Sequence, residues 1–276
     1  MEPTPLERWT SGDAYEQFMG RWSQLVAREF LAWLDVEAGA RWLDVGCGSG
    51  ALTRTALGIA SPAAILGMEP SAGFVSSARR LTDDGRAEFA QGDACALPCR
   101  PGAFDAVVSG LVLNFVPDVG RALAEMRRAL RPGGVAAAYV WDYAEGMQML
   151  RYFWDAAVLL DPGGTPVDEG ERFPLCRPDS LAENFRSAGL DEVTVRPLVV
   201  ATTFRDFDDY WEPFLGGQGA APAYVSRLTE AQRSALKDRL AAALPKSPDG
   251  AIHLTARAWA ARGLAAQGRA EPAAGW

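Results

Sequence analysis

Short apolar runs alternate with amphipathic stretches through residues 41–140. The apolar runs predict strands at 41–45, 64–69, 87–91, 104–109 and 135–141, and the amphipathic stretches predict helices at 51–59, 71–81 and 119–130. Strands that alternate with helices form a parallel sheet covered on both faces. The pattern therefore predicts an α/β fold with a doubly wound, mostly parallel sheet. Its ligand crevice is expected at the carboxyl ends of the strands, beside the first strand.

Three segments do not follow this alternation: residues 1–40, 144–177 and 206–247. They contain predicted helices at 23–34, 147–160 and 230–244. A helix at 180–188 and strands at 193–200 and 254–260 complete the sheet to seven strands. We expect a single domain over 1–262, with a core at 41–143, helical lid insertions that recognise the substrate, and a flexible tail at 263–276.

A glycine-rich loop with an acidic residue just ahead of it follows the first predicted strand. Asp44 precedes Gly46, Gly48 and Gly50, with Cys47 between the first two glycines. Glycines allow a sharp turn and let a ligand approach the main chain. A dinucleotide loop prefers the spacing GxGxxG, so that pyrophosphate meets a helix N-terminus. Here the third glycine comes one residue early, and the carboxylate favours a cationic group over pyrophosphate.

This loop and four further segments, in this order, resemble the class I S-adenosylmethionine-dependent methyltransferases of the small-molecule type. The resemblance covers residues 41–140 most closely and implies the Rossmann-like methyltransferase fold. The further segments are Glu69-Pro70, Gly92-Asp93-Ala94, Ser109-Gly110-Leu111 and the turn Leu130-Arg-Pro-Gly-Gly134.

The resemblance implies a role toward S-adenosylmethionine for each matching residue. The glycine loop lies against the methionine part, Asp44 helps to hold its amino end, and Glu69 accepts both ribose hydroxyls. A carboxylate suits a vicinal diol because it accepts two hydrogen bonds side by side. The resemblance further assigns the adenine to Asp93 and the backbone N–H of Ala94, and the ammonium to a carbonyl in Ser109-Gly110-Leu111.

An N-terminal stretch resembles a segment of related methyltransferases in which a Tyr and an Arg fold over the cofactor's carboxylate. The matching residues are Tyr15 and Arg21. Arg suits a carboxylate through its planar guanidinium. A solvent-exposed helix charge is the alternative interpretation of Arg21.

Methyl transfer from a sulfonium is an in-line displacement, so the protein mainly aligns the reactants and excludes water. A general base is needed only if the nucleophile must lose a proton. The candidates are His253, which is the single histidine, Tyr143 and Asp142. Trp141, Trp154 and Trp211 lie in or beside the predicted lid. They either line a pocket for an uncharged or aromatic small substrate or pack the lid on the sheet.

Composition narrows the class of partner. The chain has 276 residues, with 27 Lys and Arg against 35 Asp and Glu, a net charge of −8. This balance argues against an open surface for DNA or RNA. The single histidine and the absence of a CxxC pair argue against a metal site. We expect a cytoplasmic monomer or homodimer with reduced cysteines and no membrane partner, because no secretory signal or long apolar run is visible.

Two other functions stay open at this point, and two more are disfavoured. One is a protein methyltransferase. Another is a protein of the same fold that binds S-adenosylmethionine but catalyses a reaction other than methyl transfer. A nucleotide-dependent oxidoreductase is disfavoured by the glycine spacing and by Asp44. A nucleic-acid methyltransferase is disfavoured because no D/N-P-P-Y/F sequence follows the fourth strand.

Overall fold

Seven strands form one sheet in the computed structural model, which describes residues 20–160, 169–216 and 219–267. The spatial order is β3-β2-β1-β4-β5-β7-β6. The strands are β1 (Arg41–Val45), β2 (Ala64–Glu69), β3 (Ala87–Gln91), β4 (Phe104–Gly110), β5 (Leu130–Trp141), β6 (Leu190–Phe204) and β7 (Ile252–Ala265).

Strands β1 to β5 are parallel, and β7 lies antiparallel between β5 and β6. Strand β1 lies between β2 and β4, so the chain leaves it toward opposite sides of the sheet. In sheets of this kind ligands bind outside the carboxyl ends of the strands at the switch point, which here are the ends of β1, β2 and β4. The sheet confirms the predicted doubly wound, mostly parallel seven-stranded fold.

Helices connect the strands and cover both faces of the sheet. They are α1 (Arg21–Leu34), α2 (Ala51–Ile59), α3 (Ala72–Leu81), α4 (Val119–Ala129), α5 (Gln148–Leu160), α6 (Glu169–Arg172), α7 (Pro178–Ser187), α8 (Phe207–Trp211), α9 (Ala220–Arg227) and α10 (Glu230–Ala243). The start of α3 is capped by Ser71, whose Oγ accepts from the Phe74 N–H at 3.4 Å, and the start of α4 by Asp118, whose Oδ1 accepts from Arg121 N–H at 2.9 Å. Both caps lie where the sequence pattern predicts the helices to begin. Helix α9 falls in a segment where the sequence pattern did not predict one.

A large core on one face of the sheet includes residues of α1, α2 and the lid helices. A second core on the other face includes residues of α4 and α7. The lid helix α5 follows β5, and α8 follows β6, at the carboxyl edge of the parallel strands. The Tyr210 hydroxyl of α8 donates to the Met149 carbonyl of α5 at 2.8 Å. The second and third segments outside the alternation, 144–177 and 206–247, which we call the second and third additions, therefore pack on one another and on the sheet.

The last three strands are longer than the sequence pattern indicated. Strand β5 already begins at Leu130, within the segment 130–134 predicted as a turn, because Leu130 pairs with Phe104 of β4. Strand β6 extends beyond 193–200, and β7 extends beyond 254–260 to Ala265. The predicted tail at 263–276 is therefore wrong at its start: Gly263 pairs with Ala136 of β5. A Cβ at Gly263 would lie 2.9 Å from Leu190 Cβ, so glycine here serves close strand packing rather than flexibility. Residues 268–276 lie outside the described part of the chain.

Candidate cofactor site

The turn after β1 is built from glycines in left-handed backbone conformations and is closed by the loop after β4. Gly46 has a φ of +73°. A Cβ at Gly46 would lie 2.4 Å from Val112 Cγ1, so the two loops are in direct contact there. Gly48 and Gly50, also at positive φ, carry the chain into α2. The sequence folds this way because residues without a Cβ reach this region of φ at little cost.

Gly46→Ala is expected to destabilise the fold by about 2 kcal/mol, because the new methyl group adds left-handed strain and overpacks Val112. Thermal unfolding of the empty protein measures the loss. Val112→Ala in the same chain should recover part of it, since it removes both Val112 Cγ atoms. An equal loss in the single and double variants would show that backbone strain alone is responsible.

Asp44 lies at the end of β1 and is 1% exposed. It contacts helix α2, which follows the glycine turn. Thr53 of α2 donates its hydroxyl to Asp44 Oδ2 at 2.7 Å. The other oxygen, Oδ1, is buried without a hydrogen-bond partner among the described residues. Burial raises the pKa of Asp44 to about 7, against the opposing hydrogen bonds from Thr53. A buried, unpartnered carboxylate oxygen fits a bound ammonium group, as the resemblance implies.

Glu69, at the end of β2, holds the first glycine turn and the start of α3 together. Its Oε2 accepts from the Gly48 N–H at 3.2 Å, and its Oε1 accepts from the Ser71 N–H at 3.0 Å. Burial raises the pKa of Glu69. Both carboxylate oxygens thus face backbone donors at the crevice, and each keeps further lone pairs for a diol.

Cys47 packs inward rather than presenting a reactive thiol. It is 7% exposed and lies in a small apolar cluster with Val75, Ala78 and Phe89. Burial raises the pKa of its thiol far above the usual range, so a nucleophilic thiolate is disfavoured. Cys47 is therefore a small space-filling residue of this turn rather than a nucleophile.

The segment after β3 forms a tight turn beside the end of β2. Asp93 Oδ1 accepts from the Cys95 N–H at 2.8 Å, and the Asp93 carbonyl accepts from the Ala96 N–H at 3.0 Å. The Pro70 carbonyl accepts from Gln91 Nε2 at 2.8 Å, which ties the two strand ends together. Asp93 therefore has a structural role in the turn, and Ala94 lies within that turn. The adenine role of both residues stays a prediction.

The segment after β4 is held against β5. The Leu111 N–H donates to the Tyr139 carbonyl at 2.8 Å, and Leu111 has a φ of +61°, unusual for a residue with a side chain. Ser109 is fully buried, and its Oγ has no hydrogen-bond partner among the described residues. A Cβ at Gly110 would lie 2.6 Å from Tyr139 Oη. These contacts fix the path of the loop that closes on Gly46.

Of the two N-terminal candidates, only Arg21 is described; Tyr15 lies outside the described residues. Arg21 begins α1, and its guanidinium lies 4.8 Å from the centre of the Phe204 ring and 3.5 Å from Asp209 Oδ1. Phe204 ends β6, which runs parallel to β1 but lies four strand spacings, about 19 Å, from it, so Arg21 lies at the carboxyl edge of the sheet on the side of β6 rather than beside the glycine loop. Its cofactor role stays a prediction.

The three candidate bases have different surroundings. His253 is exposed on β7, with its Nδ1 3.3 Å from Thr203 Oγ1, and three strand spacings, about 14 Å, separate β7 from β1. Tyr143, just beyond β5, packs against Phe173 with ring centres 5.5 Å apart. Asp142 is 2% exposed and accepts from Arg257 Nε at 2.6 Å. Of the three, Tyr143 lies in an aromatic group at the carboxyl edge, whereas Asp142 is engaged in an ion pair.

Asp142→Asn is expected to lower the unfolding free energy by about 1–2 kcal/mol and to leave turnover per folded molecule within twofold of the parent. The reason is that Asp142 holds Arg257 and accepts from the Glu145 N–H at 3.1 Å. Denaturant unfolding and single-turnover transfer rates measure the two effects. A 100-fold loss of rate in a protein of undiminished stability would assign Asp142 to catalysis instead.

The three lid tryptophans are buried and pack the lid. Trp141, Trp154 and Trp211 are each at most 4% exposed, and Trp154 Nε1 donates to Glu169 Oε2 at 2.7 Å. These rings therefore pack the lid on the sheet, as the second of the two alternatives predicts. Phe115, at the same edge, is more exposed than these three tryptophans. Its ring centre lies 5.2 Å from that of Phe173.

Two residues of the site were missed by sequence reasoning. Thr53 faces Asp44 from the first turn of α2, and Val112 contacts Gly46. A hydroxyl within the first turn of the helix after an acidic strand end is a signal that could have identified Thr53. Val112 carries no such signal, because only the close approach of the two loops gives it a role.

Comparisons with known proteins agree with the class of protein that the sheet order and the glycine turn after β1 indicate. A family model described as "Methyltransferase domain" matches residues 43–138. The chain is 30% identical over 240 residues to the 2-methyl-6-phytyl-1,4-hydroquinone methyltransferase of Synechocystis sp., covering 77% of this chain and 73% of the relative. It is 33% identical over 212 residues to the demethylmenaquinone methyltransferase of Symbiobacterium thermophilum, covering 69% and 84%.

Another relative matches over a shorter region. The 2-phytyl-1,4-naphtoquinone methyltransferase of Thermosynechococcus vestitus is 37% identical over 118 residues, which cover 42% of this chain and about half, 51%, of the relative.

Solved structures share the whole architecture at low identity. A structure of the Haloferax volcanii Trm112 methyltransferase activator with a methyltransferase matches with a TM-score of 0.60 at 22% identity, covering 97% of this chain and 100% of that chain. The [4+2]-cyclase SpnF matches with a TM-score of 0.50 at 22% identity, covering 90% and 81%.

The sheet order and the glycine turn at its switch point define the Rossmann-like methyltransferase class. With the two relatives matched over most of their length, the chain belongs to the class I S-adenosylmethionine-dependent methyltransferases.

Proposed function

We propose that this protein transfers a methyl group from S-adenosylmethionine to a small uncharged aromatic acceptor. The observation that carries the cofactor assignment is the buried Asp44, whose Oδ1 has no partner among the described residues, beside a turn of left-handed glycines. An isolated buried carboxylate is costly, and a bound cation compensates for it.

Each predicted residue has a definite task in this proposal. Asp44 orients the amino end of the cofactor, and Glu69 receives the ribose hydroxyls. Asp93 and the Ala94 N–H meet the adenine, and a carbonyl of 109–111 receives the ammonium. The bound sulfonium supplies an activated methyl group. The protein aligns acceptor and methyl carbon and excludes water, through the lid that packs over the carboxyl edge.

The acceptor class is supported by the relatives and by the aromatic side chains at the crevice. The relatives above are named for methylation of quinones and hydroquinones. Phe173 contacts both Phe115, in the loop after β4, and Tyr143, just beyond β5. A hydroxyl acceptor that must lose a proton would need a base, for which Tyr143 has the most suitable position of the three candidates.

Calorimetric titration tests the cofactor assignment. S-adenosylhomocysteine should bind in the micromolar range, and NAD⁺ should give no heat at the same concentration. Incubation with methyl-labelled S-adenosylmethionine and a panel of phenols and hydroquinones should then yield a labelled product. Binding of NAD⁺ in place of S-adenosylhomocysteine would contradict the proposal.

A second candidate function is a non-methyl-transfer reaction on the same fold. The [4+2]-cyclase SpnF shares the fold of this chain, and this similarity supports the second candidate. Both functions predict S-adenosylhomocysteine binding, so label transfer distinguishes them. Cofactor binding with no transfer to any acceptor, together with conversion of an unlabelled substrate, would favour the second function.

Arg21→Ala is expected to weaken S-adenosylhomocysteine binding by about fivefold to tenfold, because a guanidinium pairs well with the cofactor's carboxylate. Calorimetry measures the dissociation constant. Arg205→Ala is the matched control, because Arg205 also pairs with Asp209 and is more exposed. Equal affinities for the Arg21 variant and the parent would assign Arg21 to the contacts with Asp209 and Phe204 alone.

A further inference from the structure

Asn114 carries a buried amide nitrogen that has no hydrogen-bond partner among the described residues. It lies in a single 3₁₀ turn, Leu113–Phe115, that follows β4. Leu113 is fully buried, Phe115 is 48% exposed, and Asn114 lies between them with its Nδ2 shielded from solvent. No described residue accepts a hydrogen bond from this amide. A buried donor that makes no hydrogen bond is costly, so the group needs an explanation such as a bound ligand.

The position of this amide connects it with the cofactor turn. Val112, two residues earlier, is the residue against which a Cβ at Gly46 would clash. Trp42 Nε1 and Thr202 Oγ1 also have no partner in the described part of the chain, but they belong to residues inside β1 and β6, within the sheet. Asn114, in contrast, lies in the loop beyond the carboxyl end of β4, where ligands bind in sheets of this kind.

Three aromatic rings meet beside this turn, and we refer to Phe115, Tyr143 and Phe173 as the ring cluster. The Phe115 and Phe173 rings are 5.2 Å apart at 77°, and the Tyr143 and Phe173 rings are 5.5 Å apart at 43°. The three residues come from the loop after β4, the loop after β5 and the second addition. Because Phe115 is half exposed, the ring cluster presents apolar aromatic surface at the crevice.

We propose that Asn114 is a specificity-determining residue that donates its amide N–H to an oxygen of a flat aromatic acceptor. The rings of that acceptor lie against the ring cluster. This inference rests on the proposed function and deepens it, because it names the recognised feature: an aromatic ring bearing a hydroxyl or carbonyl oxygen. A buried polar group that pairs with a substrate oxygen rejects the analogue without that oxygen, since the group is then left unpaired.

The test compares two probes of nearly the same shape, 2-naphthol and 2-methylnaphthalene, on the protein saturated with S-adenosylhomocysteine. Fluorescence titration gives both dissociation constants. The parent should bind 2-naphthol about tenfold more tightly than 2-methylnaphthalene, the ratio expected for one hydrogen bond to a buried donor. Asn114→Leu should reduce this ratio to near one, whereas Phe173→Leu should weaken both probes equally.

Asn184→Leu is the matched control. Asn184 is also followed by a phenylalanine, but its Nδ2 donates to the Ser180 carbonyl on α7, away from the crevice. This variant should keep the tenfold ratio. If Asn114→Leu does not fold, Asn114→Ala replaces it, and the affinity for S-adenosylhomocysteine verifies the fold of either variant.

Each outcome decides the question. A ratio near one in the parent, an unchanged ratio in the Asn114 variants, or binding of S-adenosylhomocysteine with no binding of either probe would overturn the role of Asn114 and leave the cofactor assignment intact. Failure to bind S-adenosylhomocysteine at all would instead contradict the proposed function itself.

Discussion

Glu69→Ala is expected to lower the affinity for S-adenosylhomocysteine at least about 100-fold. In the proposed complex the carboxylate accepts two hydrogen bonds from the ribose, and each bond to a charged group contributes about 1.5–3 kcal/mol. The structure adds a second cost, because Glu69 also holds the Gly48 and Ser71 N–H groups. Calorimetry at pH 8 measures the loss, since the carboxyl group must be ionised and its pKa is raised.

Glu88→Ala is the control for this experiment. Glu88 lies on β3, one strand away from Glu69, and its side chain is exposed. Its loss should change the affinity less than twofold. Glu69→Gln separates the two costs, because the amide oxygen can still accept from one backbone donor. Parent-like affinity in both Glu69 variants would contradict a ribose-binding role, and the end of β2 would then be structural only.

The elements near the switch point could be predicted because their signals are local. Ser71 and Asp118 cap their helices within three residues of the donors they accept from. The glycine spacing after β1 determines the turn because residues without a Cβ adopt the left-handed conformations at Gly46, Gly48 and Gly50 at the least cost. Such features need no knowledge of the rest of the chain.

The remaining features depend on contacts between distant segments. Asp142 pairs with Arg257, 115 residues further along the chain, and no local pattern indicates this partner. The extension of β7 to Ala265 depends on pairing with β5 on one side and β6 on the other, which prevails over the low strand propensity of alanine and glycine. The ring cluster likewise joins three segments that are separate in the sequence.

The two acids of the site interact with each other. Glu69 adds to the electrostatic cost of ionising Asp44, although burial is the larger cause of the raised pKa. The empty protein therefore contains a carboxyl group that prefers its neutral form up to about pH 7, far above the usual range of a carboxyl group. A bound cation reverses this preference, so binding of the cofactor and deprotonation of Asp44 are linked.

Asp44→Asn is expected to change stability and binding in opposite directions. The pKa of Asp44 is 3.8 in the unfolded chain and about 7 in the folded protein, so the folded state binds more protons between these values. The contribution to stability is therefore complete below pH 4 and is lost as the pH rises through 7. The asparagine variant lacks this loss, and the empty variant should be more stable than the parent at pH 8 by on the order of 2 kcal/mol.

The same substitution should nearly abolish binding of S-adenosylhomocysteine, because a neutral amide replaces the carboxylate that pairs with its ammonium. In the parent the association constant should rise about tenfold per pH unit below pH 7 and level off above it, and this dependence should vanish in the variant. Thr53→Val provides the matched comparison, because it removes the hydroxyl that donates to Asp44 Oδ2. Loss of the Thr53 hydroxyl should raise the pH midpoint of binding, while the Asp44 carboxylate is retained. A parent whose affinity is independent of pH between 5 and 8 would show that Asp44 is ionised throughout, and the buried Oδ1 would then need a partner other than the cofactor.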